Sequence, residues 1–153
     1  MPKDRHLVWD PSRSAQENAA LRLPQLAQAY FRAGRRLLET KPSNQVLHRF
    51  RIYTKRFRYT LELFRPCYGP GLDRRLEALR NMQDFLGEIN DCVVTRKLLG
   101  RKQQNVADFL KRRMTQKQSA LRAYWKRTFD APGQERWWTD YLARFTRKAG
   151  RPA

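Results

Sequence analysis

The chain has 153 residues, 41% of them hydrophobic, and its 33 Lys and Arg against 14 Asp and Glu leave a formal net charge of +19. That length suits one domain, and eight Phe, six Tyr and four Trp supply enough apolar material to exclude disorder throughout. So large a cationic excess repels itself in the folded state and points to a polyanionic partner: nucleic acid, an anionic membrane surface or polyphosphate.

Residues 1–13 contain two prolines, mixed charge and Trp9, and lead into no apolar run of signal-peptide length. They read as an irregular lead-in to a single helical domain over 14–148, with 149–153 as a tail. A helical pattern starts at Ser14, is interrupted near Leu23 by Pro24, and resumes to about Glu39. Residues 41–44, Lys-Pro-Ser-Asn, form a turn in which Ser43 or Asn44 caps the next helix. That helix runs from Gln45 to Phe64 and stops at Pro66, and the Tyr-Gly-Pro-Gly of 68–71 is a further turn. A third helix covers about 72–99, with Gly100 as its stop. The fourth, 103–129, contains neither Gly nor Pro. After Ala131, Pro132 and Gly133, a short amphipathic piece over 134–148 carries Trp137, Trp138, Tyr141 and Phe145.

No segment alternates as a half-buried strand does. Four long helices with short connections predict an all-α fold, an antiparallel four-helix bundle of long helices with a short extra C-terminal helix. No stretch approaches the roughly 18 consecutive apolar residues of a membrane span. Cys67 and Cys92 form neither a disulfide framework nor a CxxC pair. Together these features predict a cytoplasmic protein with two ordinary thiols.

The second helix carries the most informative pattern. At about 100° per residue, His48, Arg51, Lys55 and Arg58 fall within about 80° of one another. Phe50, Tyr53, Phe57, Leu61 and Phe64 form an apolar face on one side, and Ile52, Tyr59 and Leu63 lie on the other. A plain solvated face would sit opposite the apolar face and mix its signs. This row instead runs between two apolar groups, with no acid before Glu62, as the wall of an interhelical groove would. Arg presents a planar fork to phosphate oxygens and Lys a mobile point charge. His48 is either a hydrogen-bonded structural residue or, at the mouth of such a groove, a further donor to phosphate. Arg32 and Arg36, four apart on the first helix, share a face and are the next candidates.

Glu77, Asp84, Glu88 and Asp91 fall on one face of the third helix within about 60°. Bundle di-metal sites use Glu-x-x-His pairs, and Glu88-Ile89-Asn90-Asp91 supplies no histidine. The acids are expected to pair with cations of neighbouring helices, with no metal and no cofactor. Gly-rich phosphate loops, nucleophile elbows and close Cys/His pairs are all missing, so no catalytic residues are assigned. Gly87 in mid-helix is tolerable if a neighbouring helix packs closely there.

Two strings occur in order: His48-x-x-Arg51-x-x-x-Lys55-x-x-Arg58-Tyr59, then Leu79-x-x-Met82-Gln83-Asp84-x-Leu86-Gly87-x-x-Asn90-Asp91. Together they resemble the CHAD family, the conserved-histidine α-helical domains, over roughly residues 20–130. The resemblance implies a helical bundle that binds inorganic polyphosphate without an established catalytic role. His48, Arg51, Lys55 and Arg58 match the family's basic ligands, and Asp91 matches its acid on the following helix, in a supporting role. Family members usually carry two four-helix halves in one chain, whereas this sequence resembles the second half alone. A homodimer that rebuilds the double unit is therefore expected. The expected ligand is polyphosphate, with a possible association with polyphosphate granules, and nucleic acid is the alternative; no membrane partner is expected. Among the aromatics, only the Trp137–Trp138 pair suggests a stacking platform for bases.

Overall fold

A Ser-x-x-Glu sequence starts the first helix. Ser14 Oγ accepts from the Glu17 backbone N–H, and the Glu17 carboxylate accepts from the Ser14 backbone N–H at 2.8 Å, a complete capping box. In the computed structural model, which describes residues 9–144, the helix that follows, α1, runs unbroken over Ala15–Glu39. The expected interruption at Pro24 does not occur. Pro24 removes one backbone donor, but Ala19, Ala20, Leu23 and Ala27 are all buried around it, and their packing holds the helix through the gap.

The remaining elements are α2 (Asn44–Leu63), α3 (Arg65–Tyr68), α4 (Asp73–Leu98), α5 (Gln104–Thr128) and α6 (Gln134–Leu142). Among the described residues all regular structure is helical. Ser43, not Asn44, caps α2, its side chain accepting from the Val46 N–H. α2 ends at Leu63 with Phe64 as its cap, as the stop before Pro66 anticipated, and Pro66 opens a separate short helix. It sits in the first turn of α3, where its missing N–H has no partner to lose. Gly69, at φ 72°, then turns the chain, and a 3-10 turn over Pro70–Leu72 leads directly into α4. The end of the last expected helix, 145–148, and the tail lie outside the described residues.

α4 packs against both α2 and α5, while α1 packs against α6 and α2. The core between them is aromatic. Trp125 stacks on Phe129 at 4.7 Å, and Tyr30 lies within 5.0 to 5.9 Å of Phe57, Phe50, Phe129 and Trp125. The Tyr30 hydroxyl is satisfied inside that cluster by Thr54 Oγ1 at 3.1 Å, which in turn donates to the Phe50 carbonyl. α1 and α5 meet at Gly34, where a Cβ would fall inside the Trp125 indole, so only glycine permits this approach.

α6 is anchored by an arrangement that the hydrophobic pattern did not reveal. Arg75 of α4 is 2% exposed, with its guanidinium 3.4 Å from the Trp137 ring centroid and 3.8 Å from that of Tyr141. It donates to the carbonyls of Gly71 and Trp137, at 3.1 and 2.6 Å. Burial pushes its pKa down to about 10, which leaves it charged at neutral pH. Tyr68 Oη donates to the Leu142 carbonyl and Tyr141 Oη donates to the Tyr68 carbonyl, tying α6 to α3.

Candidate polyanion-binding face

α2 and α4 run antiparallel, and the α2 row meets one stripe of α4 position by position. His48 Nδ1–H donates to Asn90 Oδ1 at 2.9 Å, since an amide oxygen can only accept. His48 is otherwise exposed. One turn on, Arg51 lies across α4 above Gly87, its Nε 3.9 Å from where a Cβ would stand. At the far end, Arg58 Nη1 donates to Glu62 Oε1 at 2.7 Å, and Arg80 from α4 donates to the same oxygen at 3.3 Å. At about 100° per residue, Arg80, Gly87 and Asn90 share one stripe of α4.

This register explains the spacing of the second sequence string. Leu79, Met82 and Leu86 are buried in the core, while Gly87 and Asn90 address the basic row. The close helix packing expected at Gly87 is not what is found: a Cβ there would meet only the Arg51 side chain, at ordinary van der Waals distance.

The charges on the face are unevenly compensated. Arg58 is paired with Glu62 and also lies over the Tyr59 ring, 4.6 Å from its centroid. Lys55 is exposed, with its ammonium 5.5 Å from the same ring. Among the described residues, neither Arg51 nor Lys55 has a carboxylate partner. The Nε atoms of Arg51 and Arg58 are buried without an acceptor, so both guanidinium stems are pressed against neighbouring structure. Beside the row, Leu47, Leu86, Ile89 and Val93 line an apolar cavity of about 280 Å³, with His48, Asn90 and Lys97 also in its wall.

Sequence reasoning overlooked two members of this face as site residues. Asn90 holds His48, and Arg80 shares Glu62 with Arg58. Their common stripe with Gly87 follows from helical spacing, but that this stripe meets the basic row depends on the register between the two helices.

Arg32 and Arg36 are not on this face. They line a different cleft, between α1 and α2, together with Arg49. Asp91 is exposed and makes no ion pair among the described residues. The expected pairing of the acidic helix is found at Glu88, which meets Lys117 at 2.5 Å; Glu77, Asp84 and Asp91 have no such partner there. Among the described residues no group of His, Cys, Asp or Glu is placed to hold a metal ion. None of their helices is long and apolar enough to cross a membrane. The Trp137–Trp138 pair is not a two-ring platform for bases: Trp138 is 1% exposed in the core, while Trp137, 43% exposed, covers Arg75.

The fold and this face define an all-helical protein with a row of cations set across two antiparallel helices. The chain belongs to the CHAD family: the CHAD domain matches residues 3–100, which takes in α1 to α4. The match begins and ends earlier than the resemblance over 20–130 anticipated. CHAD domains are associated in general with polyphosphate binding. Comparisons with curated proteins and with solved structures gave no significant match.

Proposed function

We propose that this protein binds inorganic polyphosphate without transforming it, along the face built by α2 and α4. The observation that carries the reading is the register of that face. His48 is oriented by Asn90, Arg51 is laid over Gly87, and Lys55 and Arg58 continue the line toward Arg80. The spacing along α2 is about one helical turn, roughly 5 Å, so successive cations can address successive parts of one extended chain of phosphates. Arg51 can offer its terminal nitrogens to two oxygens, Lys55 supplies a point charge, Arg58 keeps Nη2 beyond the Nη1 bond to Glu62, and His48 adds a polar edge at the end of the row. Arg32 and Arg36 lie in the separate α1–α2 cleft and are not counted among the contacts of this face, and the supporting role of Asp91 rests on its place on α4 next to Asn90, the partner of His48.

The scaffold of this reading is an antiparallel bundle of α1, α2, α4 and α5 closed by α6. Two copies pair to rebuild the double helical unit usual in the family. The setting is the cytoplasm, where polyphosphate granules would supply the ligand. Nucleic acid, which offers the same phosphates, is the competing ligand. Reading a base sequence needs edge contacts or stacking, and beside the row Tyr59 is a single exposed ring already shared by Lys55 and Arg58.

The test is the triple variant Arg51→Ala, Lys55→Ala, Arg58→Ala. It should stay helical by circular dichroism, because Arg80 still satisfies Glu62 at the point where Arg58 is removed. Its affinity for long-chain polyphosphate should fall by at least about tenfold, since charge-assisted bonds contribute roughly 1.5–3 kcal/mol each. Its dependence on salt should become shallower. Unchanged affinity in a folded triple variant would falsify the assignment of the face. Light scattering at micromolar concentration checks the pairing, and a strictly monomeric species counts against it.

A further inference from the structure

α2 turns a second set of arginines away from the row. Arg49, near its N-terminus, lines a cleft of about 550 Å³ with Arg32, Arg36 and the apolar side chains of Ala29, Ala33, Leu37 and Val46. Thr40 completes the wall. No acid lines this cleft, and among the described residues none of the three arginines has an ion pair or hydrogen bond.

The other arginines around α1 behave differently. Arg35, on the same helix, is held by Asp130 at 2.6 Å and Glu135 at 2.7 Å. Arg122 of α5 reaches the Thr40 carbonyl. The chain thus neutralises Arg35 with two carboxylates but gathers three exposed arginines along one concavity with no counter-charge among the described residues, an arrangement whose mutual repulsion an anion would relieve. Two further features bear on an anion there. α2 has no acid in its first turn, so no carboxylate offsets the positive end of its dipole, although the Val46 N–H itself is taken by Ser43. The carbonyls that end α1 are occupied by Arg122 and by the Thr40 hydroxyl, which donates to Leu37.

We propose that the α1–α2 cleft is a second anion site, separate from the α2–α4 face, and that it takes a compact phosphate cluster such as a short linear condensed phosphate. Three arginines lining one cleft suit a ligand whose oxygens are clustered in space. The row, by contrast, is one-dimensional and suits an extended chain. The apolar floor contributes no hydrogen bonds, so affinity depends on the number of negative charges the ligand concentrates. This proposal rests on the polyphosphate reading only for its choice of ligand; the cleft stands on its own residues.

The experiment therefore begins from the chain in which the face is already disabled by Arg51→Ala, Lys55→Ala and Arg58→Ala. Tripolyphosphate, ATP and orthophosphate are titrated into it calorimetrically at low salt. Tripolyphosphate should still bind at one equivalent, with ATP weaker and orthophosphate weakest. Adding Arg32→Ala and Arg49→Ala should lower tripolyphosphate affinity by at least about tenfold. Adding Arg112→Ala and Arg113→Ala instead, an equal loss of charge from the exposed face of α5, should change it little. Equal losses in both variants, or no residual binding at all, overturn the proposal and show only diffuse attraction to net charge. Failure of long-chain polyphosphate to bind the unaltered protein would count against the α2–α4 reading and leave this test intact. Tighter binding of ATP than of tripolyphosphate would replace condensed phosphate with a nucleotide and refute the ligand class.

Discussion

Replacing Gly34 by alanine tests the packing that holds the fold together. The Cβ it adds would lie within the Trp125 ring. The indole has no room to retreat: it is 2% exposed, stacked on Phe129 at 4.7 Å, and flanked by Phe31 and Phe50, each at 6.2 Å between centroids. α1 and α5 must therefore move apart, or Trp125 must leave its rotamer. Overpacking of this kind costs about 1–3 kcal/mol, and complete overlap with a rigid ring belongs at the upper end. Alanine's better helix propensity returns up to ~1 kcal/mol. The net loss is about 2 kcal/mol, or a fall in Tm of about 4–8 °C for a chain of this size. Thermal unfolding followed by far-UV circular dichroism reads it directly, and indole fluorescence reports on the displaced tryptophan. A variant as stable as the parent would refute the close approach of α1 to α5 at this position.

Gly87→Ala should do the opposite. Its Cβ meets Arg51 Nε at an ordinary 3.9 Å, so stability should rise by about 0.5–1 kcal/mol in the same thermal assay, with polyphosphate affinity unchanged. A destabilised variant would show that Arg51 is not where the structure places it. Gly87→Leu, by pushing the Arg51 side chain off α4, should weaken polyphosphate binding in a chain that remains helical. Arg75→Met keeps the stem but leaves the carbonyls of Gly71 and Trp137 without a donor and removes the cation between two rings. Urea unfolding should show a loss of about 3 kcal/mol, with a change in tryptophan fluorescence from Trp137; a neutral outcome would mean that α6 is anchored by its apolar contacts alone. At the start of α1, hydrogen bonds from the Ser14 backbone and then its hydroxyl hold the Glu17 carboxyl below its ordinary 4.5. Their contribution is complete above that value and is lost as pH falls through the lowered one. Tm should accordingly depend less on pH in this range in Glu17→Gln, and identical profiles would remove the capping box from the acid response.

The all-helical class and the basic row were legible in the sequence because both follow from periodicity. Aromatic residues at helical spacing mark the core, and cations one turn apart mark a face of α2. What covers that face was not legible. A single helix gives directions about its own axis, while the partner stripe of Arg80, Gly87 and Asn90 depends on the register between two helices set by the core. The same limit applies to Arg32 and Arg36, which share a face of α1 as expected but lie beside Arg49 and not beside Arg51. Pro24 misled because local cost was weighed without the burial around it. Arg75 escaped notice because an arginine next to Arg74 in a helical pattern looks exposed until two aromatic rings from another helix close over it.

The central claim is that a built face, and not net charge alone, selects polyphosphate. Competition between long-chain polyphosphate and single- and double-stranded DNA of matched charge, at near-physiological and several-fold higher salt, tests it most directly. The account expects polyphosphate to win clearly and to stay bound at salt that strips DNA, with the advantage lost in the Arg51→Ala, Lys55→Ala, Arg58→Ala variant. Equal competition by DNA at both salts, unchanged in that variant, would contradict it.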